Sequence, residues 1–143
     1  MIYDDRFFEI EDQVSAVVHA LAVSPSFEKY LQAKKQVYND QEAVLLKQVF
    51  NEKKRSFEKI ADYGTYAPGY KEQQREVRKA KRALDLNEKV AEFRLAETDL
   101  QNLLDEIGLT VAQTISSEIK VDAGNPFFVT GKHSGCGGNC HAS

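Results

Sequence analysis

The 143-residue chain has little of what secreted and membrane proteins require. It contains two cysteines, three prolines and no tryptophan. No stretch approaches about 18 uninterrupted apolar residues, so no membrane span is predicted. The N-terminus carries Asp4 and Asp5 where an export signal has a basic region. We therefore expect a cytoplasmic protein, in a compartment where thiols stay reduced.

Patterns that mark common catalytic sites are also missing. The sequence has no glycine-rich phosphate loop, no nucleophile elbow and no His-Glu-x-x-His pattern. His19 lies near the apolar stripe of a predicted helix, where a boundary residue is the simpler interpretation. Paired acids such as Asp105 and Glu106 are expected on a solvated helix face. We therefore predict that the protein is not an enzyme.

The sequence does show helical periodicity along most of its length. Charged residues make up 29% of the chain, and the net charge of −3 gives no overall attraction to nucleic acid or anionic lipid. Apolar residues at steps of three and four predict helices over about 5–22, 25–38, 41–63, 70–84 and 88–119. The predicted fold is all-α: a bundle of about five helices in a domain of residues 1–120, and a flexible tail of residues 121–143 with glycine and cysteine.

The fifth predicted helix carries the longest apolar stripe. It would span about 48 Å at 1.5 Å per residue, longer than a compact domain of this size covers. We therefore expect part of the stripe to contact another chain, in a homo- or hetero-oligomer. The residues predicted to bind this partner are Val90, Phe93, Leu100, Leu104, Ile107 and Val111.

The fourth predicted helix has a basic stripe. Its members fall on one side at steps of three and four: Lys71, Arg75, Arg78, Lys79 and Arg82. The favoured interpretation is a solvated face complemented by the acidic segments 4–12 and 85–106. The alternative is a direct contact with RNA phosphates or with an acidic protein surface. No aromatic residues alternate with the basic ones as a base-stacking platform requires.

The segment Asn-Pro-Phe-Phe at residues 125–128 predicts a turn after the last helix. Pro126 ends any helical tendency. The favoured interpretation is that Phe127 and Phe128 fold back onto the helices and anchor the root of the tail. The alternative is that the two rings form an exposed docking motif for a partner.

Both cysteines, Cys136 and Cys140, lie in a glycine-rich tail with no apolar residue around them. A closed zinc or iron–sulfur site takes four ligands, and this chain supplies two thiolates. His133 and His141 could add two ligands, but Cys140 and His141 are neighbours, which is awkward for one tetrahedral ion. Shared ligation with another chain is the favoured interpretation. A tail without metal and a redox disulfide are the alternatives.

Several segments together resemble a known family. They are residues 85–93 (DLNEKVAEF), 96–101 (AETDLQ), 120–128 (KVDAGNPFF), 63–64 (YG) and 68–70 (PGY). The sequence resembles the YlbF/YmcA regulators of Gram-positive bacteria, and within them the YlbF branch. The specific match covers about half of the chain, and the tail after Gly131 is similar to the Cys-Gly-Gly tail of that branch.

The resemblance implies an all-helical, non-enzymatic regulator that works with YmcA-like and YaaT-like partners. It implies a role as a specificity factor for the endoribonuclease RNase Y in mRNA maturation, affecting competence, sporulation or biofilm formation. It also implies an iron–sulfur cluster shared between chains, with Cys136 and Cys140 as ligands. From the residues alone, zinc is the alternative metal. A direct RNA-binding module and a helical scaffold with an inert tail are the competing functions.

Overall fold

A computed structural model describes residues 4–127 of the protein. This part of the chain is helical and contains no strand, which confirms the predicted all-α class. The five helices are α1 (Asp5–Ala22), α2 (Pro25–Asn39), α3 (Gln41–Ala61), α4 (Tyr70–Leu86) and α5 (Glu88–Ile115), with a short 3-10 helix at Gly64–Tyr66 between α3 and α4. None of these helices is both long and apolar enough to cross a membrane.

Four of the helices begin at a side chain that caps them. Asp4, Ser24 and Asp40 accept hydrogen bonds from backbone N–H groups three residues later, at 3.0, 3.2 and 2.6 Å. Asn87 does the same for the N–H of Val90 at 3.1 Å. Each bond satisfies one of the N–H groups that the first turn of a helix leaves without a backbone partner. The helix starts are therefore set by local chemistry.

Helix ends depart further from the sequence predictions. The left-handed backbone of Gly64, with a φ of 56°, starts the 3-10 helix after α3 has already ended at Ala61. Helix α5 ends at Ile115 instead of Ile119, so its 28 residues span about 42 Å. Near this end, Thr110 and Thr114 donate to carbonyl oxygens four residues earlier, and Ser116 accepts from the N–H of Glu118. Such local bonds compete with helical pairing and favour an early stop.

Contacts within the chain define two compact units, residues 1–97 and residues 98–143. The predicted division into a helical domain 1–120 and a tail 121–143 stays a prediction. In the first unit, Ala43, Leu84 and Val90 are the buried core, with Val37, Leu46 and Phe50 packed against them. In the second unit, Ala112 and Asp105 are buried, and the segment after α5 returns along that helix.

Aromatic and ionic contacts join the helices of the first unit. Tyr30 of α2 lies 5.6 Å from Phe93 of α5 between ring centroids, and Phe57 of α3 lies 5.1 Å from Tyr70 of α4. Asp85 of α4 pairs with Arg94 of α5 at 2.7 Å. Aromatic pairs at these separations contribute about 0.5–1.5 kcal/mol beyond their buried area. They therefore support an arrangement that the small apolar core alone would hold weakly.

Candidate partner-binding surfaces

The predicted metal ligands Cys136, Cys140, His133 and His141 lie outside the described residues, and so does Phe128. Within residues 4–127, no group of three or more histidine, cysteine, aspartate or glutamate side chains is placed to hold a metal ion. The metal site therefore stays a prediction. What the structure does describe is the segment from which the tail departs.

The predicted partner-binding stripe of α5 divides into covered and uncovered parts. Val90 is 7% exposed and belongs to the core of the first unit, while Phe93 and Leu100 are half-buried. Farther along, Ile107 is half-buried, Leu104 is 42% exposed and Val111 is 57% exposed. The end of α5 nearest the C-terminus is thus the part of the stripe that is available to another chain.

A groove that the sequence did not predict lies among α2, α3, α4 and α5 in the first unit. Its volume is about 590 Å³, and its apolar wall includes Val37, Val44, Phe50 and Phe93. The ring of Tyr38 stands at its edge, 62% exposed, with the ammonium of Lys47 5.8 Å from the ring centroid. These residues belong to the apolar stripes of separate helices, so only the assembled structure brings them together.

The basic stripe of α4 is exposed at all five positions, Lys71, Arg75, Arg78, Lys79 and Arg82. Within residues 4–127, none of the five has an ion-pair partner. The predicted complement by the acidic segments stays a prediction, since it requires no direct ion pair. Asp85 instead pairs with Lys81 and Arg94. The stripe is a solvated cationic face.

Asp105 forms a latch between α5 and the segment that follows it. Its two carboxylate oxygens accept hydrogen bonds from consecutive backbone N–H groups, Gly124 to Oδ1 and Asn125 to Oδ2, both at 2.9 Å. The side-chain amide of Gln101 donates to Oδ1 at 2.8 Å. Asn125 also donates through Nδ2 to Oδ1 of Asn102 at 2.6 Å. We call these contacts the Asp105 latch.

Glycine at position 124 leaves room for the side-chain amide of Gln101 in the Asp105 latch. A Cβ atom there would collide with the side chain of Gln101. Asn125 completes the turn by accepting from the N–H of Phe127 through Oδ1 at 3.0 Å. The sequence therefore predicted the turn from Asn-Pro correctly, but the acceptor that holds it comes from about 20 residues earlier in the chain.

The environment of Asp105 favours its charged form. The N–H of Asn125 is the largest cause that lowers the pKa of the carboxyl group, joined by the N–H of Gly124 and the amide of Gln101. Burial acts in the opposite direction. Asp105 is 6% exposed while Glu106 is exposed, so the prediction of a solvated pair of acids was wrong for Asp105.

The ring of Phe127 is 86% exposed. It does not fold back onto the helices, so the favoured interpretation is wrong for Phe127, while Phe128 lies outside the described residues. Phe127 is therefore available to a partner, as the alternative interpretation requires.

Known proteins are similar to this chain over most of its helical part. Residues 10–116 match the family model described as "Control of competence regulator ComK, YlbF/YmcA". The chain is 35% identical over 131 residues to "Regulatory protein YlbF" of Bacillus subtilis (strain 168), an overlap of 92% of this chain and 87% of that protein. It is also similar to a chain in the X-ray crystal structure of Bacillus subtilis RicA in complex with RicF. That likeness has a TM-score of 0.73 and 32% identity, over 79% of this chain and 98% of the other.

Replacement of Asp105 by asparagine should open the latch. The new side chain would turn one amide group toward backbone N–H donors, so we expect faster hydrogen exchange at the amides of Gly124 and Asn125. The control Asp99→Asn removes the same charge from an exposed position of α5 and should leave both rates unchanged. Equal exchange rates in the Asp105→Asn and Asp99→Asn variants would count against the latch.

The latch should also depend on pH. In the wild type, it should be present above the ordinary aspartate pKa of about 3.9 and lost as the pH falls through the lower folded-state pKa of Asp105.

Proposed function

The chain belongs to the YlbF/YmcA family of competence-control regulators, and from this premise we propose that it acts as a non-enzymatic subunit of a larger regulatory complex. Its partners in this proposal are YmcA-like and YaaT-like proteins. The complex would act in the cytoplasm as a specificity factor for RNase Y in mRNA processing. Competence, sporulation or biofilm programmes would depend on the processed transcripts.

The observation that carries the proposal is an uncovered apolar face at the end of α5. Leu104, Val111 and Ile115 are 42%, 57% and 74% exposed, and their spacing of seven and four residues places them on one side of the helix. We call them the α5 end face. Covering such a face gains about 25 cal/mol per Å² of apolar surface removed from water. A subunit that works only when bound to other chains has a physical reason to keep this face apolar.

Relatives support an assembly. A solved structure with a TM-score of 0.73 to this chain is of RicA in complex with RicF, so a protein of similar fold does bind another chain. The exposed ring of Phe127 and the α5 end face both belong to the unit of residues 98–143. Partner binding through this unit would bring the partner to the part of the chain that bears the tail.

The proposal includes a metal group held by the tail. Cys136 and Cys140 would supply two thiolates to an iron–sulfur cluster shared with another chain, with His133 and His141 as the weaker candidates. The donor set supports sharing, because two thiolates are half of the four that a closed cluster site takes. The Asp105 latch would hold the root of the tail in one place while its ligands bind.

A substitution in the α5 end face should weaken partner binding. The change Val111→Glu would bury a carboxylate without a partner, so we expect the dissociation constant for a YmcA-like subunit to rise roughly 30-fold or more. Isothermal titration calorimetry on the purified chains measures this. The control Gln113→Glu places the same charge at an exposed position on the opposite side of α5 and should bind as the wild type does. If Val111→Glu binds as tightly as Gln113→Glu, the α5 end face is not the interface.

Loss of the tail cysteines should remove the metal group. After anaerobic co-expression with the YmcA-like and YaaT-like partners, we expect iron and acid-labile sulfide in the wild-type complex and neither in the Cys136→Ser, Cys140→Ser double variant. The double variant His133→Ala, His141→Ala is the control and should retain both. Zinc without sulfide would indicate a structural ion in place of a cluster, and unchanged iron in the cysteine variant would contradict ligation by this chain.

A second candidate function rests on the basic stripe of α4. Five exposed cations that have no ion-pair partner within residues 4–127 can take up the phosphates of an RNA strand. This binding would complement the proposed role by bringing the transcript to the complex. It needs no base recognition, since the stripe has no aromatic platform.

Salt dependence tests the RNA contact. If the stripe binds phosphates, the slope of log affinity against log salt for single-stranded RNA should become shallower by about 1.4 in the double variant Arg78→Gln, Arg82→Gln. The control Lys29→Gln, Lys35→Gln removes two exposed charges from α2 and should leave the slope unchanged. Fluorescence anisotropy over a salt series gives both slopes, and an absence of binding at low salt removes this function.

A further inference from the structure

Helix α1 has an apolar stripe that residues 4–127 leave open in its middle. Ile10, Val14 and Val18 in the middle of the stripe are 64%, 57% and 59% exposed, while Phe7 and Leu21 at its ends are half-buried. No residue of this 18-residue helix is buried. Most helices in proteins owe their stability to packing of one apolar face, and among the described residues nothing supplies that contact to the middle of α1.

The spacing of this stripe is the same when it is read in reverse. From Phe7 to Leu21 the steps are three, four, four and three residues, with Val14 at the centre. If a second α1 lies antiparallel to the first, Phe7 comes opposite Leu21, Ile10 comes opposite Val18, and the two Val14 residues meet. A two-fold axis requires this property, because the same surface must fit itself after the rotation.

The charges of α1 favour the same orientation. The N-terminal half carries four acids and one cation, Asp5, Glu9, Glu11, Asp12 and Arg6, while residues 13–22 contain no aspartate, glutamate, lysine or arginine. A parallel pair would set the acidic halves side by side, where like charges repel. An antiparallel pair sets each acidic half beside a neutral half and aligns the two helix dipoles in opposite directions. Charge and apolar spacing thus agree on one arrangement.

We propose that α1 is the interface of a symmetric homodimer, in which a second copy of this chain covers the stripe with its own α1 in antiparallel orientation. The seam between the helices is about 27 Å long, the length of 18 helical residues. Val14 lies on the two-fold axis, so each dimer brings two copies of this side chain into contact. Self-association through α1 uses residues of the first unit and does not depend on the partners proposed for the α5 end face.

Position 14 gives a direct test with the full chain under reducing conditions. Val14→Glu would place two carboxylates together on the axis, so we expect the dimer dissociation constant to rise about 100-fold or more in sedimentation equilibrium. The control Ala16→Glu adds the same charge at an exposed position on the opposite side of α1 and should remain dimeric. Circular dichroism at 222 nm should be the same for both variants, which separates dissociation from unfolding.

A charge-reversal pair tests the axis itself. Val14→Lys alone should be monomeric, as Val14→Glu is, but an equimolar mixture of the two should recover a mixed dimer because opposite charges then meet.

A wild-type chain that is monomeric at about 100 µM would overturn the proposal, as would equal dissociation of Val14→Glu and Ala16→Glu. A folded pair of variants that fails to associate on mixing would also overturn it. So would a monomeric wild type whose binding to a YmcA-like subunit is weakened by Val14→Glu, since the occupant of the stripe would then be that subunit.

Discussion

Burial of Ala43, Leu84 and Val90 at one end of three helices is the constraint on which the first unit depends. These residues belong to the first turn of α3, the last turn of α4 and the first turn of α5. The caps Asp40 and Asn87 therefore lie beside the core, where a lost cap costs about 1 kcal/mol. Asn87 also donates to Glu42 at 3.2 Å, so the cap of α5 contacts the start of α3. Capping and core formation reinforce each other at this end of the helices.

Structural features that depend on residues close together in the chain could be predicted from the sequence. The predicted starts of α2 and α5, at residues 25 and 88, are the observed ones, where Ser24 and Asn87 act as caps. The apolar period predicted the number of helices. The Asp105 latch could not be predicted, because its donors lie about 20 residues from the carboxylate and an acid next to Glu106 has the pattern of a solvated face. The early end of α5 also escaped prediction. Its cause is competition from threonine and serine side chains inside a stripe that continues to Ile119.

The candidate site was predictable to a similar degree. The residues of the α4 basic stripe were identified with their exposure, but their lack of ion-pair partners within residues 4–127 appeared only in the structure. The α5 stripe was identified as one surface, whereas the structure assigns Val90 to the core and leaves Val111 in solvent. Periodicity shows which side of a helix is apolar. It does not show how far a neighbouring helix extends along that side, and that extent decides which residues remain for a partner.

The Asp105 latch also determines where the segment after α5 is held along that helix. Asn125 is hydrogen-bonded to Asn102, 13 residues and about 20 Å back along α5 from its end at Ile115. An extended chain needs about six residues to cover that distance. Gly124 and Asn125 are therefore held beside the middle of the helix. Residues inserted between Ile115 and Gly124 would lengthen the loop without moving the point at which the chain leaves α5.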